Sequence, residues 1–483
     1  MTFQPEKPAA PVVEKKADPN NPEALVRFMM TRWRPQTKRL PRPIASAPFH
    51  VARRLALSRR FPGEVLVVPT GHEKVRSNDT YFRFRPGSDF FYLTGNTEPD
   101  GVLVLTPRAG GGHDSHLFIE PNPGRASVTF YTDRKKGELW VGARLGVDQS
   151  RAHFGVDFAH ALDELKPFLE RHPVARVLRT LSSSVDALVP SRDAGRPDAE
   201  LATCLAEHRL VKDALEVREL EKVIDATARG FEDVIRRLPR ATSEREVEGV
   251  FNLRARVEGN DVGYGTIAAS GANACILHWT KNHGRLRKGD LLLVDAGVEG
   301  HALYTADITR TLPISGRFSK AQRAVYELVW HAQQAAIAEV KPGNDFMAPN
   351  AAASKVLAQG LKDLGVLPMS VDEALDPKHL FFKRYSLHNV SHMLGLDVHD
   401  CAKAREEVYR YGKLVPGMVL TVEPGLYFQL DDRTVPSKLR GIGVRIEDDL
   451  LVTARGHRNL SRNIPSEASA VEAWMKRTWR AAR

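Results

Sequence analysis

Four carboxylates and one imidazole in the later part of this chain are hard to explain as structure alone: Asp295, Asp307, His392, Glu423 and Glu447. Their settings read LLLVDAG, YTADITRT, HNVSHMLG, LTVEPG and GVRIEDD. The acids follow apolar, strand-like runs such as LLLV, VLTV and GIGV. An acid that ends such a strand points into the cleft on which the strands converge. Burying it there is costly unless it is paired or holds a metal. A single Asp-Ala-Gly or Glu-Pro-Gly is an ordinary turn, but five such coincidences call for a shared cause. Two hard divalent cations would satisfy all five side chains at once.

The order and wording of these segments resemble the aminopeptidase P and prolidase family of pita-bread metallopeptidases. The run SDFFYLTGNTEPDGVLVL (Ser88 to Leu105) resembles the signature of that family's creatinase-like N-terminal domain. The run RGIGVRIEDDLLVT (Arg440 to Thr453) is the most specific match and lies on the aminopeptidase P side of the family. The resemblance spans residues 46–465. It implies an α/β (α+β) chain, with a creatinase-like mixed α/β domain followed by a pita-bread metallopeptidase domain. The implied activity is hydrolysis of the bond between an N-terminal residue and proline, by a hydroxide bridging two metals. The alternatives are a prolidase, restricted to Xaa-Pro dipeptides, and a catalytically altered or non-catalytic binding protein on the same fold.

By that resemblance Asp295 is a terminal ligand to one metal, Asp307 and Glu447 bridge both, and His392 and Glu423 complete the second. Glu423 would also carry a proton from the nucleophile to the leaving nitrogen. His278 and His399 would stabilise the oxyanion-like intermediate. His388 would line the proline pocket, and Arg445 would orient the substrate beyond the scissile bond. Without the resemblance, each histidine is one of 17, and Arg445 is an ordinary partner for Asp448 or Asp449. A carboxylate-rich set with one imidazole suits Mn²⁺ better than a structural zinc site, with Zn²⁺, Co²⁺ and Fe²⁺ as alternatives. Two departures stand out. Asp295 and Asp307 are one residue further apart than the family's usual spacing, which places an extra residue in the turn near Val298 to Leu303 or in a bulge. Asn389 and Val390 replace the Gly and the Thr or Leu that usually follow the first histidine, and Asn389 is expected to tolerate positive φ.

The elements that must position these residues are legible in outline. Residues 1–45 form an extension rich in Pro, Lys and Glu, mobile at first, with a short helix over Pro22 to Trp33. Residues 46–205 alternate helix and strand. His50 to Phe61 has helical spacing, Gly63 to Gly71 is a buried strand, GVLVLTP and SHLFIEP are two more, Asp157 to Arg171 is a helix, and ARVLRTL is a strand. Residues 206–483 form the catalytic domain and tail. It starts with an amphipathic helix from Leu215 to Leu238 and a second helix opened by Ser243, with Glu246 completing a capping box. Antiparallel strands carrying the acids follow, and the tail from Ala470 to Arg483 reads as a basic helix docked on the protein.

Composition narrows the class. The chain has 483 residues, 42% hydrophobic and 27% charged, enough for two or three domain cores. Its net charge of +11 is spread out, with no basic block interleaved with aromatics, so neither nucleic acid nor membrane is an expected partner. Cys204, Cys275 and Cys401 make neither a disulfide framework nor a CxxC zinc site, which points to a reducing compartment, the cytoplasm. No run approaches the ~20 apolar residues of a membrane span. The expected partners are peptides with proline in second position and, by the resemblance, further copies of the chain in a homodimer or homotetramer.

Overall fold

The computed structural model describes residues 21–34 and 39–481. They form two compact units that divide between Asp198 and Ala199. The mobility expected at the start of the extension falls outside the described residues. Within the extension, a helix over Glu23–Met29 follows Pro22, whose fixed φ suits a helix start.

The first unit is built on a mixed five-stranded sheet of β1 (Val65–Pro69), β2 (Val102–Pro107), β3 (His113–Ile119), β4 (Phe158–Ala161) and β5 (Ala175–Val177), in the order β4-β3-β2-β1-β5. β1 to β2 and β2 to β3 are antiparallel, whereas β3 to β4 and β1 to β5 are parallel. The VLVV and VLVL runs are buried throughout because both faces of these central strands are covered. Helix α1 (Ala47–Arg60) buries Leu57, Arg53 and Arg54, and Arg53 and Arg54 donate to the carbonyls of Tyr92 and Leu93.

One expected element changes here. Asp157 to Arg171 is not one helix: Phe158–Ala161 is strand β4, and only Leu165–Glu170 is α-helical. Phe158 and His160 alternate along β4 and lie stacked with His116 across the sheet. Pairing with β3 and this ring packing outweigh the local helical pattern.

The second unit wraps long helices around antiparallel strands. Helix α2 (Ala214–Arg237) opens at Asp213, which accepts the Leu215 and Glu216 N–H groups while Glu216 reaches back to the Asp213 N–H. Its stripe of Leu220, Val223, Ile224, Phe231, Val234 and Ile235 is buried. Helix α3 (Glu244–Glu258) is capped by Ser243, whose hydroxyl accepts the Glu246 N–H. The capping box is only half made, because the Glu246 carboxylate takes the Thr242 N–H and Arg237 instead. Helices α4 (Lys320–Glu339) and α5 (Ala348–Asp363) pack on each other, and α4 begins with a full Ser319 and Gln322 box.

Three sheets carry the candidate chemistry. β6 (Ile267–Ser270), β7 (Leu291–Ala296) and β8 (Ile308–Pro313) form one in the order β8-β7-β6. β9 (Val419–Val422), β12 (Asp448–Thr453) and β13 (Gly456–Asn459) form another, while β10 (Gly425–Tyr427) pairs with β11 (Gly443–Arg445). The β7 to β8 ladder runs unbroken from Leu291↔Pro313 to Ala296↔Ile308. The longer Asp295 to Asp307 interval is therefore absorbed outside it, where Val298–Glu299 pairs with Asp261–Val262 and Leu303 adopts a φ of 61°. The chain returns so tightly that a Cβ on Gly297 would lie 1.7 Å from the Ala306 carbonyl oxygen. The tail helix α6 (Ala468–Ala481) docks by Val471, Trp474 and Met475, and the Trp479 indole donates to Ile235 O. No helix among the described residues is long and apolar enough to cross a membrane.

Candidate metal centre

The strand ends deliver the acids to one place. Asp295 lies in β7 directly across from Thr309 of β8, and Asp307 precedes β8 by one residue, so register parity keeps both acids on one face. Glu447 sits between β11 and β12. Its N–H donates to Thr309 O at 3.1 Å, and its carboxylate accepts the Thr309 hydroxyl at 2.6 Å. His392 is laid along β9 by two bonds with Thr421: its N–H donates to the hydroxyl, and its carbonyl accepts the N–H. Glu423 follows β9, with its N–H on Val390 O at 2.8 Å.

Asp307, His392 and Glu447 each offer a ligand atom within 4.8 Å of the others. Glu423 stands beside them, its Oε1 3.5 Å from His392 Nε2, which is itself 3.3 Å from Asp307 Oδ2. Asp295 is turned aside: one oxygen accepts from Arg445 Nη2 and the other from the Tyr264 hydroxyl, which also contacts Asp307. Arg445 thus pairs with Asp295 rather than with Asp448 or Asp449. Asp448 belongs to the buried Arg310, whose guanidinium also donates to the carbonyls of Glu447, Ile464 and Pro465.

The electrostatics show the strain of this crowding. Burial pushes the carboxyls of Asp295 and Glu447 up, and neighbouring acids push them further. Burial likewise raises Glu423 to about 7, although His392 and Arg445 pull it down. His392 is held up at about 9: burial opposes its charge, but the bond to Asp307 and the charge of Glu423 outweigh that. Buried anions in excess of the cations beside them call for added positive charge. Four oxygen donors with one imidazole fit divalent ions.

The remaining histidines ring this cluster. His399 is exposed, with its ring edge-on to His392 at 4.4 Å. A cavity of about 360 Å³ opens beside these two, lined also by Glu406, Tyr409 and Arg410. His388 bonds through Nε2 to the Tyr427 hydroxyl at 2.7 Å, and its Nδ1 is 3.7 Å from Glu423. Burial, then Arg445, lowers His388 to about 4, so its ring is neutral. His278 is exposed on the loop after β6 and close enough to His388 and His399 to disfavour the charge on both. Asn389 does not use a positive φ; Val390 is buried in the core and its N–H is accepted by Asn350.

Tyr264 and Tyr427 escape the sequence reading. Tyr264 joins Asp295 to Asp307, and Tyr427 joins His388 to Arg445 at 3.1 Å. The only local signal is position: Tyr427 lies four residues after Glu423, in EPGLY, and Tyr264 shortly precedes β6.

Comparison with known proteins bears on this arrangement. Residues 218–454 match the model of metallopeptidase family M24, and residues 50–176 match that of the aminopeptidase P N-terminal domain. The chain is 48% identical to Xaa-Pro aminopeptidase 1 of Streptomyces coelicolor, over 98% of this chain and 96% of that protein. It is 33% identical to the Xaa-Pro aminopeptidase of Escherichia coli, over 89% of this chain and 98% of that protein. The structure of E. coli aminopeptidase P with the inhibitor Pro-Leu superposes with a TM-score of 0.81 at 31% identity, covering 90% of this chain and 99% of that one.

Proposed function

This chain belongs to metallopeptidase family M24, and from that membership we propose that it is an Xaa-Pro aminopeptidase, a metal-dependent exopeptidase that removes an N-terminal residue preceding proline. The observation that carries the reading is the convergence of Asp307, His392 and Glu447 in a chain that matches such an enzyme over nearly its whole length. The residues that would hold two divalent ions are Asp295, Asp307, His392, Glu423 and Glu447. Bound there, such ions supply Lewis acidity and lower the pKa of water. The oxygen-rich donor set favours Mn²⁺ over Zn²⁺, Co²⁺ or Fe²⁺.

The chain's own groups carry the rest. Glu423, next to His392 and His388, is placed to pass a proton to a leaving nitrogen. His399, exposed beside His392, and His278, exposed near His388 and His399, would donate to the developing oxyanion. His388, neutral and fixed by Tyr427, lines the pocket for a proline ring. Arg445 orients the substrate side of the site through Tyr427 and Asp295. Proline has no N–H and a fixed φ, so it suits a pocket that reads ring shape rather than backbone bonds. The three cysteines are buried and none is in a disulfide, which supports a cytoplasmic setting, and a homodimer or homotetramer is the assembly we propose.

The test is hydrolysis of matched Xaa-Pro-Xaa tripeptides and Xaa-Pro dipeptides by metal-stripped protein, before and after Mn²⁺ addition. Restored cleavage at the first bond of the tripeptide, with little dipeptide turnover, is expected. Dipeptide-only cleavage would make the enzyme a prolidase. No turnover of either with metal bound would mean that Asn389 and Val390, or another change, have altered the substrate, and no bound metal with no turnover would make it a binding protein on this fold.

A further inference from the structure

We infer that Glu244, remote in sequence from every acid of the metal centre, is a positioning residue that fixes the loop bearing His278. The inference rests on the peptidase reading above. Glu244 is the first residue of α3, next to its Ser243 cap, and is 0% exposed. A carboxylate in such a place is costly unless its oxygens are satisfied. Here four donors converge on it. Oε1 accepts the Ser270 N–H at 2.7 Å and Asn273 Nδ2 at 2.8 Å, while Oε2 accepts Trp279 Nε1 at 2.7 Å and the Gly284 N–H at 2.6 Å. The Glu244 N–H donates in return to Gly284 O at 3.0 Å. All of these donors are neutral N–H groups.

Those donors are not scattered. Ser270 ends β6, and Asn273, Trp279 and Gly284 mark the start, middle and end of the loop that leads toward β7. His278 is the residue before Trp279. The fit is tight: a Cβ on Gly284 would come within 2.5 Å of both Glu244 Oε1 and Asn273 Nδ2. Asn282 makes a second clamp on the same loop. It donates to Thr266 O at 2.8 Å and accepts the Ala268 N–H at 3.0 Å from a left-handed φ of 47°. An exposed imidazole on an unsupported loop would sample many positions. Glu244 gathers this loop onto the end of a helix and leaves His278 one fixed place beside His388 and His399.

The carboxylate itself is required. Glutamine matches its size but offers one acceptor oxygen and an NH₂ that faces donors, so at least one donor pair loses its partner. None of the metal-centre acids bonds to Glu244, so its loss should leave metal binding intact. A displaced catalytic group costs about 10²-fold in rate for a shift near 1 Å.

The experiment compares wild type, Glu244→Gln, His278→Ala and the double variant, each loaded with Mn²⁺, on an Xaa-Pro-Xaa tripeptide. Mn²⁺ affinity is measured by calorimetry and amide exchange by mass spectrometry. Glu244→Gln is expected to lower kcat by about 10²-fold, to leave Mn²⁺ affinity unchanged, and to lose exchange protection in residues 270–284 alone. In the His278→Ala background it should cost little more, because both changes remove one function. Trp279→Phe, which deletes a single donor, should repeat the pattern at smaller size and serves if Glu244→Gln does not fold. Independent, multiplying losses in the double variant, an equal loss of Mn²⁺ affinity, or unchanged kcat would each overturn the inference. Wild type without Mn²⁺-dependent turnover would instead overturn the peptidase reading, and the exchange pattern would still report on the loop.

Discussion

At the scale of single residues, the crowded acids make the centre sensitive to small changes. Asp307→Asn or Glu447→Gln keeps shape but removes a charge that the divalent ions need. Either variant is expected to stay folded and lose at least about 10³-fold in kcat/KM, the scale of several kcal/mol of charge stabilisation. Near-full activity in either would rule out the two-metal arrangement. The same acids set a pH dependence. Glu423 rises from 4.5 to about 7 on folding, so the metal-free fold takes up a proton and loses stability as pH climbs through that range. Asp295 and Glu447 are raised too and act in the same direction. His392, raised from 6.5 to about 9, stabilises the fold below 6.5 and loses that contribution as pH rises toward 9. Bound metal replaces these protons. The gap in Tm between Mn²⁺-loaded and stripped protein should therefore widen from pH 5 to pH 8 in thermal scans. A constant gap would show that the metal does not engage these groups. Asp295, Glu423 and Glu447 are legible in the sequence because each follows an apolar run, and Asp307 and His392 because the wording around them resembles the family's. Tyr264, Tyr427 and Glu244 are not, because nothing local says what their side chains meet. A tyrosine near a strand and a glutamate opening a helix are ordinary until the chain folds back on them.

At the scale of elements, position depends on how closely strands return. Gly297 is the clearest case, since an added methyl would collide with a backbone oxygen that no rotamer change can move. Gly297→Ala is expected to cost about 3 kcal/mol in urea unfolding. It should also weaken Mn²⁺ binding, because the displaced segment runs between Asp295 and Asp307. Unchanged unfolding with native metal affinity would mean that the return is slack. The long α2 helix was readable from its 3.6-residue period, and the acid-bearing strands from their uniform apolar runs. Asp157 to Arg171 was not, because a parallel partner 42 residues earlier decides that Phe158–Ala161 is a strand. The half-made capping box at Ser243 has the same origin: Arg237, on the preceding helix, draws the Glu246 carboxylate outward. Local pattern finds elements well where their own period is strong, and less well where a distant neighbour sets the conformation.

At the scale of the whole chain, the question is what closes the catalytic unit after its last acid. The answer is α6. The strand carrying Asp448 and Asp449 is followed by β13, and the chain then crosses to lay α6 against α2 and α4. Val471, Trp474 and Met475 are buried, and the Trp479 indole reaches Ile235 O on α2. The Tyr326 hydroxyl on α4 donates to Ser466 O, and Glu472 accepts both the Phe318 N–H and Arg323. The last helix thus binds a helix from the early part of its unit, so segments far apart in the unit's sequence hold each other. Its basic residues face outward, and its apolar face is spent on the protein's own core. Trp474→Ala should therefore destabilise the catalytic unit by about 3–5 kcal/mol, the range for a buried tryptophan. Trp474 touches no proposed ligand, so kcat per folded molecule should hold at low temperature while the urea midpoint falls. A loss of kcat with an unchanged midpoint would mean that α6 shapes the site itself. An unchanged midpoint with unchanged kcat would mean that the tail packs too loosely to close the fold.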